Sequence, residues 1–314
     1  MYVDLLRKGL KLSHLRLFAE LSEHGQLTQA AKALNMSQPA VSRLIAEAGS
    51  VVGTELYKRT GRGIQLTQAG QQLAFRSMRV LQEISDAGRD INELKQGISG
   101  RVKIGSVTGP AIEYVLPALR QVRLSYPAIS ISIEIGPSDM LAPMLMDGRL
   151  DFSLSRIPVE YNPELFTEIP QLEEPASVIA RQGHPLSRET ETISPEALLA
   201  HDWVLPPVGS PIRTTTERVL RSLGLSLPTQ VLTTSSFLFT LATIRQTNAV
   251  APVATSVARS FSESDDNQGS LIILPCEFDL SVETYSFLTR SGQTLTPAAE
   301  LVATEVRRVL SANA

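Results

Sequence analysis

Apolar residues between Leu27 and Ile45 fall in two short runs: Leu27, Ala30, Ala31 and Leu34, then Ala40, Val41, Leu44 and Ile45. Each run marks one face of a helix. Between them, Asn35-Met36-Ser37-Gln38-Pro39 breaks the pattern. Asn35 tolerates the left-handed conformation that ends a helix. Ser37 is a favoured N-cap, and Pro39 is accepted in a first turn, where no intrahelical donor is needed. The pattern predicts helix, tight turn, helix, with small Ala30 and Ala31 allowing close packing. Upstream, Leu12, Leu15, Phe18, Ala19 and Leu21 predict another amphipathic helix ended by Gly25; the third should run to about Val51, before Gly53. Downstream, Leu56 and Tyr57, then Ile64 and Leu66, alternate with polar residues about Gly61 and Gly63, the pattern of a short hairpin.

From Gln68 to about Gln96 the period lengthens into a heptad. Leu73, Val80, Ala87 and Leu94 form one register and Ser77, Ile84 and Ile91 the other, over about three heptads. Either a pairing helix or a helix buried on its own domain fits; pairing is preferred. After Gly97 and Gly100 the pattern becomes strand, helix, strand, helix, strand: RVKIGSV, Pro110 to Tyr126, ISISIEIG, Met140 to Met146, and Leu150 to Leu154. This predicts a parallel sheet with ligands at the carboxyl ends of the strands, which carry Ser106, Thr108, Ser138 and Ser155. The remainder continues in α/β style. A strand lies in ASVIARQGHPLS, a capped helix and strand in ISPEALLAHDWVLP, and a helix from Pro211 to Leu223. A further helix begins at Thr234, Ser235 and Ser236, strands follow at AVAPV and LIILP, and the last strand leads to a helix capped near Thr296 with Pro297 in its first turn. Ser262 to Gly269 reads as a solvated loop.

Helix, turn, helix is the unit whose second helix lies in the DNA major groove. An ordinary helical hairpin is the alternative. Against it stand Gln38, Ser42 and Arg43 on the outer face, groups able to meet base edges and phosphates. The hairpin then reads as a wing, with Arg59 and Arg62 suited to phosphate or a narrow minor groove.

A chain of 314 residues predicts two or three domains. It lacks an apolar run of membrane length, and MYVDLLRKGLKLSH has no signal-peptide pattern, so a cytoplasmic location is expected. Cys276 is alone, which excludes an internal disulfide framework. Net charge is −3 but unevenly placed. Up to residue 70, Arg7, Lys8, Lys11, Arg16, Lys32, Arg43, Lys58, Arg59 and Arg62 face Asp4, Glu20, Glu23, Glu47 and Glu55, giving +4; the rest carries −7. A basic head on an acidic body suits a protein whose first part alone meets phosphate. An enzyme is disfavoured: His14, His24, His184 and His201 show no metal spacing, and no nucleophile elbow or phosphate loop is present. No cofactor or metal is expected.

The chain resembles the LysR-type transcriptional regulators of bacteria. The DNA-binding signature is carried by Leu15, Phe18, Gly25, Thr28, Ala30, Ala31, Leu34, Ser37, Gln38, Pro39, Ala40, Val41, Ser42, Arg43, Ile45, Gly53, Leu56, Arg59, Arg62, Leu66, Thr67 and Gly70. The body matches more loosely at Arg101 to Gly105, Leu116-Pro117, Tyr126-Pro127, Leu150-Asp151 and His184-Pro185-Leu186. The resemblance implies a mixed fold: a winged helix-turn-helix at 1–69, a linker and dimerisation helix at 70–97, and at 98–314 a two-lobed α/β effector domain like a periplasmic binding protein. Lobe 1 would comprise about 101–172 and 275–314, and lobe 2 about 173–274. It also implies a homodimer or homotetramer on promoter double-stranded DNA, controlled by a small inducer in the interlobe cleft, with no membrane partner.

Carried over by position, Gln38, Pro39, Ser42 and Arg43 would contact bases, and Thr28, Ser37, Arg59 and Arg62 backbone or minor groove. Ser106, Thr108, Thr234, Ser235 and Ser236 would face the inducer. Hydroxyls at helix N-termini suit a carboxylate or a sugar equally. Arg156, Arg213 and Arg245 each favour an anion if they point into the cleft and count for nothing if they lie on the surface. The ending TR…LTPAA, Thr289 to Ala299, is similar to the branch with regulators of a sugar-binding protein and of aromatic-acid breakdown. A sugar, a sugar acid or an aromatic carboxylate is therefore expected, against the alternative of a DNA-bending protein that needs no inducer. Three departures stand out: eleven residues before the usual start, Ala48-Gly49 late in the recognition helix, and Arg245-Gln246-Thr247-Asn248 where the family has a Gly-rich stretch.

Overall fold

The computed structural model describes residues 5–60, 63–96, 100–170, 174–188, 192–262 and 271–312. The chain divides into two compact units, one of Met1–Ile98 with Met146–Leu150 and one of Ser99–Leu145 with Asp151–Ala314.

In the first unit, α1 (Leu12–His24) ends at Gly25, whose positive φ of 65° closes the helix. Helix α2 (Leu27–Ala33) leads through Asn35, left-handed at φ 52°, into α3 (Gln38–Val52). Ser37 stands at the N-cap of α3 in extended conformation. Its hydroxyl, however, accepts no cap hydrogen bond among the described residues; its carbonyl accepts the Val41 N–H at 3.1 Å. Strands β1 (Tyr57–Thr60) and β2 (Gly63–Leu66) pair antiparallel as the hairpin. Leu17, Phe18, Leu21, Ala30, Ala31, Val41, Ile45 and Leu56 form the core. Gly70 is required there: a Cβ at that position would meet the Leu56 carbonyl oxygen at 1.9 Å.

Helix α4 (Gln68–Gln96) spans the predicted heptads but is not a separate body. Its first turns pack along α1, with Ala74 buried in the winged-helix core and Leu73 packed against it. Leu73, expected on the dimer seam, is thus used within its own domain, as is Ser77, fully buried and bonded back to the Leu73 carbonyl. Val80, Ile84 and Ile91 are 44%, 52% and 55% exposed, a continuous apolar stripe beyond that core. Ala87 is exposed as well, and the Leu94 side chain lies outside the described residues.

The second unit has two lobes. Lobe 1 is a five-stranded sheet in the order β4-β3-β5-β13-β6. Strands β3 (Gly100–Ser106), β4 (Ile129–Ile135) and β5 (Phe152–Ser155) are parallel, as the pattern predicts. Strands β6 (Phe166–Pro170) and β13 (Ser286–Arg290) run antiparallel, so the sheet is mixed. The first crossover is not one helix but α5 (Thr108–Pro110), a π-helical turn Ala111–Val115, and α6 (Leu116–Ser125). The second is α7 (Ser138–Met146).

Lobe 2 is built on β7 (Glu174–Arg181), which pairs antiparallel with β10 (Ala251–Ala254), β11 (Leu271–Ile273) and β12 (Leu280–Val282). Beside it, β8 (Trp203–Leu205) and β9 (Val231–Thr233) are parallel. Helices α8 (Pro195–Leu199), α9 (Pro211–Ser222), α10 (Phe237–Gln246) and α11 (Thr255–Ser262) complete the lobe. The expected return to lobe 1 near residue 275 is too early. β12 still pairs with Ala176, Pro175 and Glu174, and Leu274 and Leu280 belong to the lobe 2 core around Trp203. The chain re-enters lobe 1 only after Val282, and α12 (Pro297–Ala312) lays Ala298, Ala299, Val302, Ala303 and Val306 into the core of that lobe.

Candidate functional site

The turn at Asn35 and the cap at Ser37 set the angle at which α3 leaves α2. Val41, Ile45 and Ala48 point into the core, which turns Gln38, Pro39 and Arg43 to solvent with Ser42 half-buried beside them. Arg43 has no ion-pair or hydrogen-bond partner among the described residues, nor has the Ser37 hydroxyl, and both are exposed. Thr28 is exposed in the first turn of α2. Thr28, Ser37, Gln38, Pro39 and Arg43 are thus exposed on the helix-turn-helix, with Ser42 half-buried. Arg59 lies in β1, with its side chain outside the described residues, and Arg62 falls outside them altogether.

The helix pair is tied to α1 by a contact that sequence pattern does not show. His14 is fully buried, and its Nδ1 accepts the Lys11 N–H at 3.1 Å. That leaves Nε2 to face Glu47 of α3 at 3.6 Å, while Lys11 Nζ pairs with the same carboxylate at 2.6 Å. The Lys11 hydrogen bond and charge hold Glu47 below the usual carboxylate range.

In the effector unit, the carboxyl ends of β3, β4 and β5 come together as expected. The Gly136 N–H donates to the Ser106 carbonyl, the Val107 N–H to the Leu154 carbonyl, and the Arg156 N–H to Ser138 Oγ at 3.0 Å. Two of the predicted contacts do not face outward. Ser106 is fully buried and bonds the Val107 carbonyl; Ser155 is fully buried and shares a 2.9 Å hydrogen bond with Ser153. Both hydroxyls serve the sheet. Ser138 is half-buried and engaged, and Thr108 is half-buried with its hydroxyl unengaged among the described residues.

The remaining predicted hydroxyls lie at the end of β9. Thr234 Oγ1 accepts the Ser236 N–H at 3.1 Å, Ser236 caps α10 by accepting the Phe239 N–H at 3.2 Å, and Ser235 is exposed and unengaged among the described residues. None of the three arginines stands free beside these hydroxyls. Arg156 binds Glu174 at 2.9 Å and the Glu283 carbonyl. Arg213 binds Glu217 at 2.7 Å, the Pro206 carbonyl and Thr233. Arg245 is exposed in the last turn of α10, roughly 13 Å along the helix from Ser236. The departure at Arg245 to Asn248 has a local structure of its own: Asn248 Oδ1 accepts from Arg181, and the Asn248 carbonyl accepts from buried His184. Burial lowers the His184 pKa from 6.5. Cys276 is half-buried and its thiol pushed up to about 11, so it carries almost no thiolate at neutral pH. No helix among the described residues is long and apolar enough to cross a membrane.

Residues 12–71 match the family model described as bacterial regulatory helix-turn-helix protein, lysR family, and residues 95–311 match the LysR substrate binding domain. Among curated relatives, the regulator GbpR of Rhizobium radiobacter is 41% identical over 249 residues, 79% of this chain and 82% of that one. GbpR of Azospirillum brasilense is 32% identical, over 96% of this chain and 87% of its own. Among solved structures, full-length OxyR from Pseudomonas aeruginosa aligns with a TM-score of 0.64 at 21% identity, covering 96% of this chain and 97% of that one. Full-length CbnR complexed with its target DNA aligns at 0.62 and 20%, covering 96% and 100%. At such identity these two speak for the fold. Together with the free face of α3, the family matches establish that the chain belongs to the LysR family: it is a DNA-binding transcriptional regulator with an effector-binding domain, and not an enzyme.

Proposed function

We propose that this regulator reads promoter DNA through Thr28, Ser37, Gln38, Pro39, Ser42 and Arg43, with Arg59 and Arg62 of the wing on the backbone or minor groove. It is controlled by a small polar or anionic inducer, a sugar, sugar acid or aromatic carboxylate, held at Thr108 and Ser138 on one lobe and Thr234, Ser235 and Ser236 on the other. It works as a homodimer or homotetramer paired through Val80, Ile84, Ala87, Ile91 and Leu94, in the cytoplasm. The observation that carries the effector reading is the pairing of hydroxyl groups with strand carboxyl ends, where α/β sheets take ligands. Arg156 and Arg213 are already committed within the protein, so hydroxyls and helix N–H groups do the recognising.

The test is thermal unfolding of the purified protein against a panel of sugars, sugar acids and aromatic carboxylates. A ligand at 100 times its Kd stabilises by about 2.7 kcal/mol through mass action, which raises the melting temperature measurably. A dose-dependent rise that Thr108→Val abolishes supports the site. A rise that survives Thr108→Val moves the ligand elsewhere, and a flat panel at millimolar concentration favours a regulator that bends DNA without an inducer.

A further inference from the structure

The two passages between the lobes meet at one guanidinium, which binds a buried carboxylate on the first and a backbone carbonyl on the second. Glu174 opens β7, and its side chain is only 9% exposed. Its Oε2 accepts from Arg156 Nη2 at 2.9 Å. Arg156 follows β5 in lobe 1, and its Nε also donates to the Glu283 carbonyl at 2.8 Å. Glu283 comes directly after β12, where the chain returns to lobe 1. One guanidinium therefore ties lobe 1 to both crossovers.

On its other side, Glu174 abuts the turn after β3. A Cβ placed on Gly109 would lie 2.0 Å from Glu174 Oε1 and 3.1 Å from the Ala254 Cβ of lobe 2. Only glycine leaves that carboxylate its place. The Gly109 carbonyl also accepts from Ser256 of α11 at 3.4 Å. Gly109 adjoins Thr108, whose hydroxyl is unengaged among the described residues.

We propose that Glu174 is the positioning residue of the effector response: its carboxylate sets the interlobe arrangement by meeting Arg156 on one side and the Thr108–Gly109 turn on the other. The part played by Thr108 rests on the effector site proposed above; the part played by the ion pair does not. A displacement of the Thr108–Gly109 turn presses on Glu174, and through Arg156 it reaches both crossovers at once. A buried pair that loses one member leaves the other charge uncompensated, so the arrangement with the pair intact is strongly preferred.

The full-length protein tests this without any ligand. Spin labels on Ser130→Cys in lobe 1 and Gln246→Cys in lobe 2, in a Cys276→Ser background diluted with unlabelled chain, report the interlobe distance by pulsed electron resonance. The unsubstituted hinge should give one narrow distribution. Glu174→Gln, which weakens the pair, and Gly109→Ala, which pushes on it from the effector side, should each shift or broaden that distribution with the far-ultraviolet circular dichroism unchanged. Once Glu174→Ala has removed the carboxylate, Gly109→Ala should add much less, since only the 3.1 Å approach to the Ala254 Cβ remains. Should Glu174→Gln fail to fold, Arg156→Met with Glu174→Leu replaces both buried charges by apolar groups and carries the same expectation. Distances that stay at the wild-type value in the folded variants, even with a lowered melting temperature, would overturn the proposal and leave the pair a structural contact. Failure of the effector site shows separately, as a blank ligand panel with the hinge distances still responsive.

Discussion

Arg43 stands on the solvent face of α3 with no partner among the described residues, so its contribution to DNA binding is open to direct measurement. Arg43→Ala should weaken binding to a specific site by roughly 1 to 3 kcal/mol if the side chain reads a base edge. If it touches only phosphate, random duplex loses equally, and the slope of log K against log salt falls by about 0.9. His184 yields a second prediction at this scale. Burial holds its folded pKa below the ordinary 6.5, so the unfolded chain takes up a proton first as pH falls. Stability from this group is complete above pH 6.5 and declines below it, until the folded pKa is reached. Melting temperature measured from pH 7.5 to 5 should drop in that window, and His184→Gln should flatten the drop. The sequence made Gln38, Ser42 and Arg43 readable because one helical period fixes a face. It left Arg156 and Arg213 undecided, because their partners depend on the folded lobes: the Glu283 carbonyl lies 127 residues from Arg156.

At the scale of elements, local signals carried the reading where they were strong. Asn35 at positive φ, Gly25 and Gly53 at helix ends, and Pro39 behind Ser37 all act where the pattern places them. What pattern could not distinguish was a heptad shared between two jobs. Leu73 and Ser77 obey the same spacing as Ile84 and Ile91, yet Leu73 packs half-buried on the winged-helix core and Ser77 is buried, while Ile84 and Ile91 are exposed. Ile84→Asp should therefore dissociate the homodimer in sedimentation equilibrium while leaving the melting of the winged helix nearly unchanged. Unchanged mass would remove α4 from the interface. Strands β6 and β12 and helix α11 were missed for another reason. FTEIP alternates too briefly to stand out, LSV is three residues long, and the short TSVARSFS adjoins an apolar strand that masks its helical period. The π-helical turn at Ala111–Val115 has no local signature; it places Tyr114 against Tyr285 at 6.1 Å between ring centres.

For the whole molecule, segregated charge and an interrupted lobe matter more than any single contact. The head carries +4 and the remainder −7, so DNA affinity should fall steeply with salt although the chain as a whole is acidic. Titration of duplex at 50 and 200 mM salt checks this; a salt-independent affinity would mean the basic residues of the head do not meet phosphate. The α/β style of the effector unit was legible because strands and helices alternate, whereas its division into two lobes came only with the family resemblance. The seam was not legible, because Leu274 to Val282 is apolar enough for either lobe, and only pairing with β7 assigns it.

That interrupted connection also bears on how the protein is made. Lobe 2 is contiguous in sequence and can complete its core as soon as Val282 has emerged from the ribosome. Lobe 1 begins much earlier but lacks the strand that separates β5 from β6, and the helix that covers its sheet, until residues 286–312 are translated. Throughout synthesis of lobe 2, then, the unfinished half exposes apolar strand surface of the kind chaperones bind. A stop codon between β12 and β13 would yield a chain with a finished second lobe and a first lobe that cannot close, a natural substrate for proteolysis.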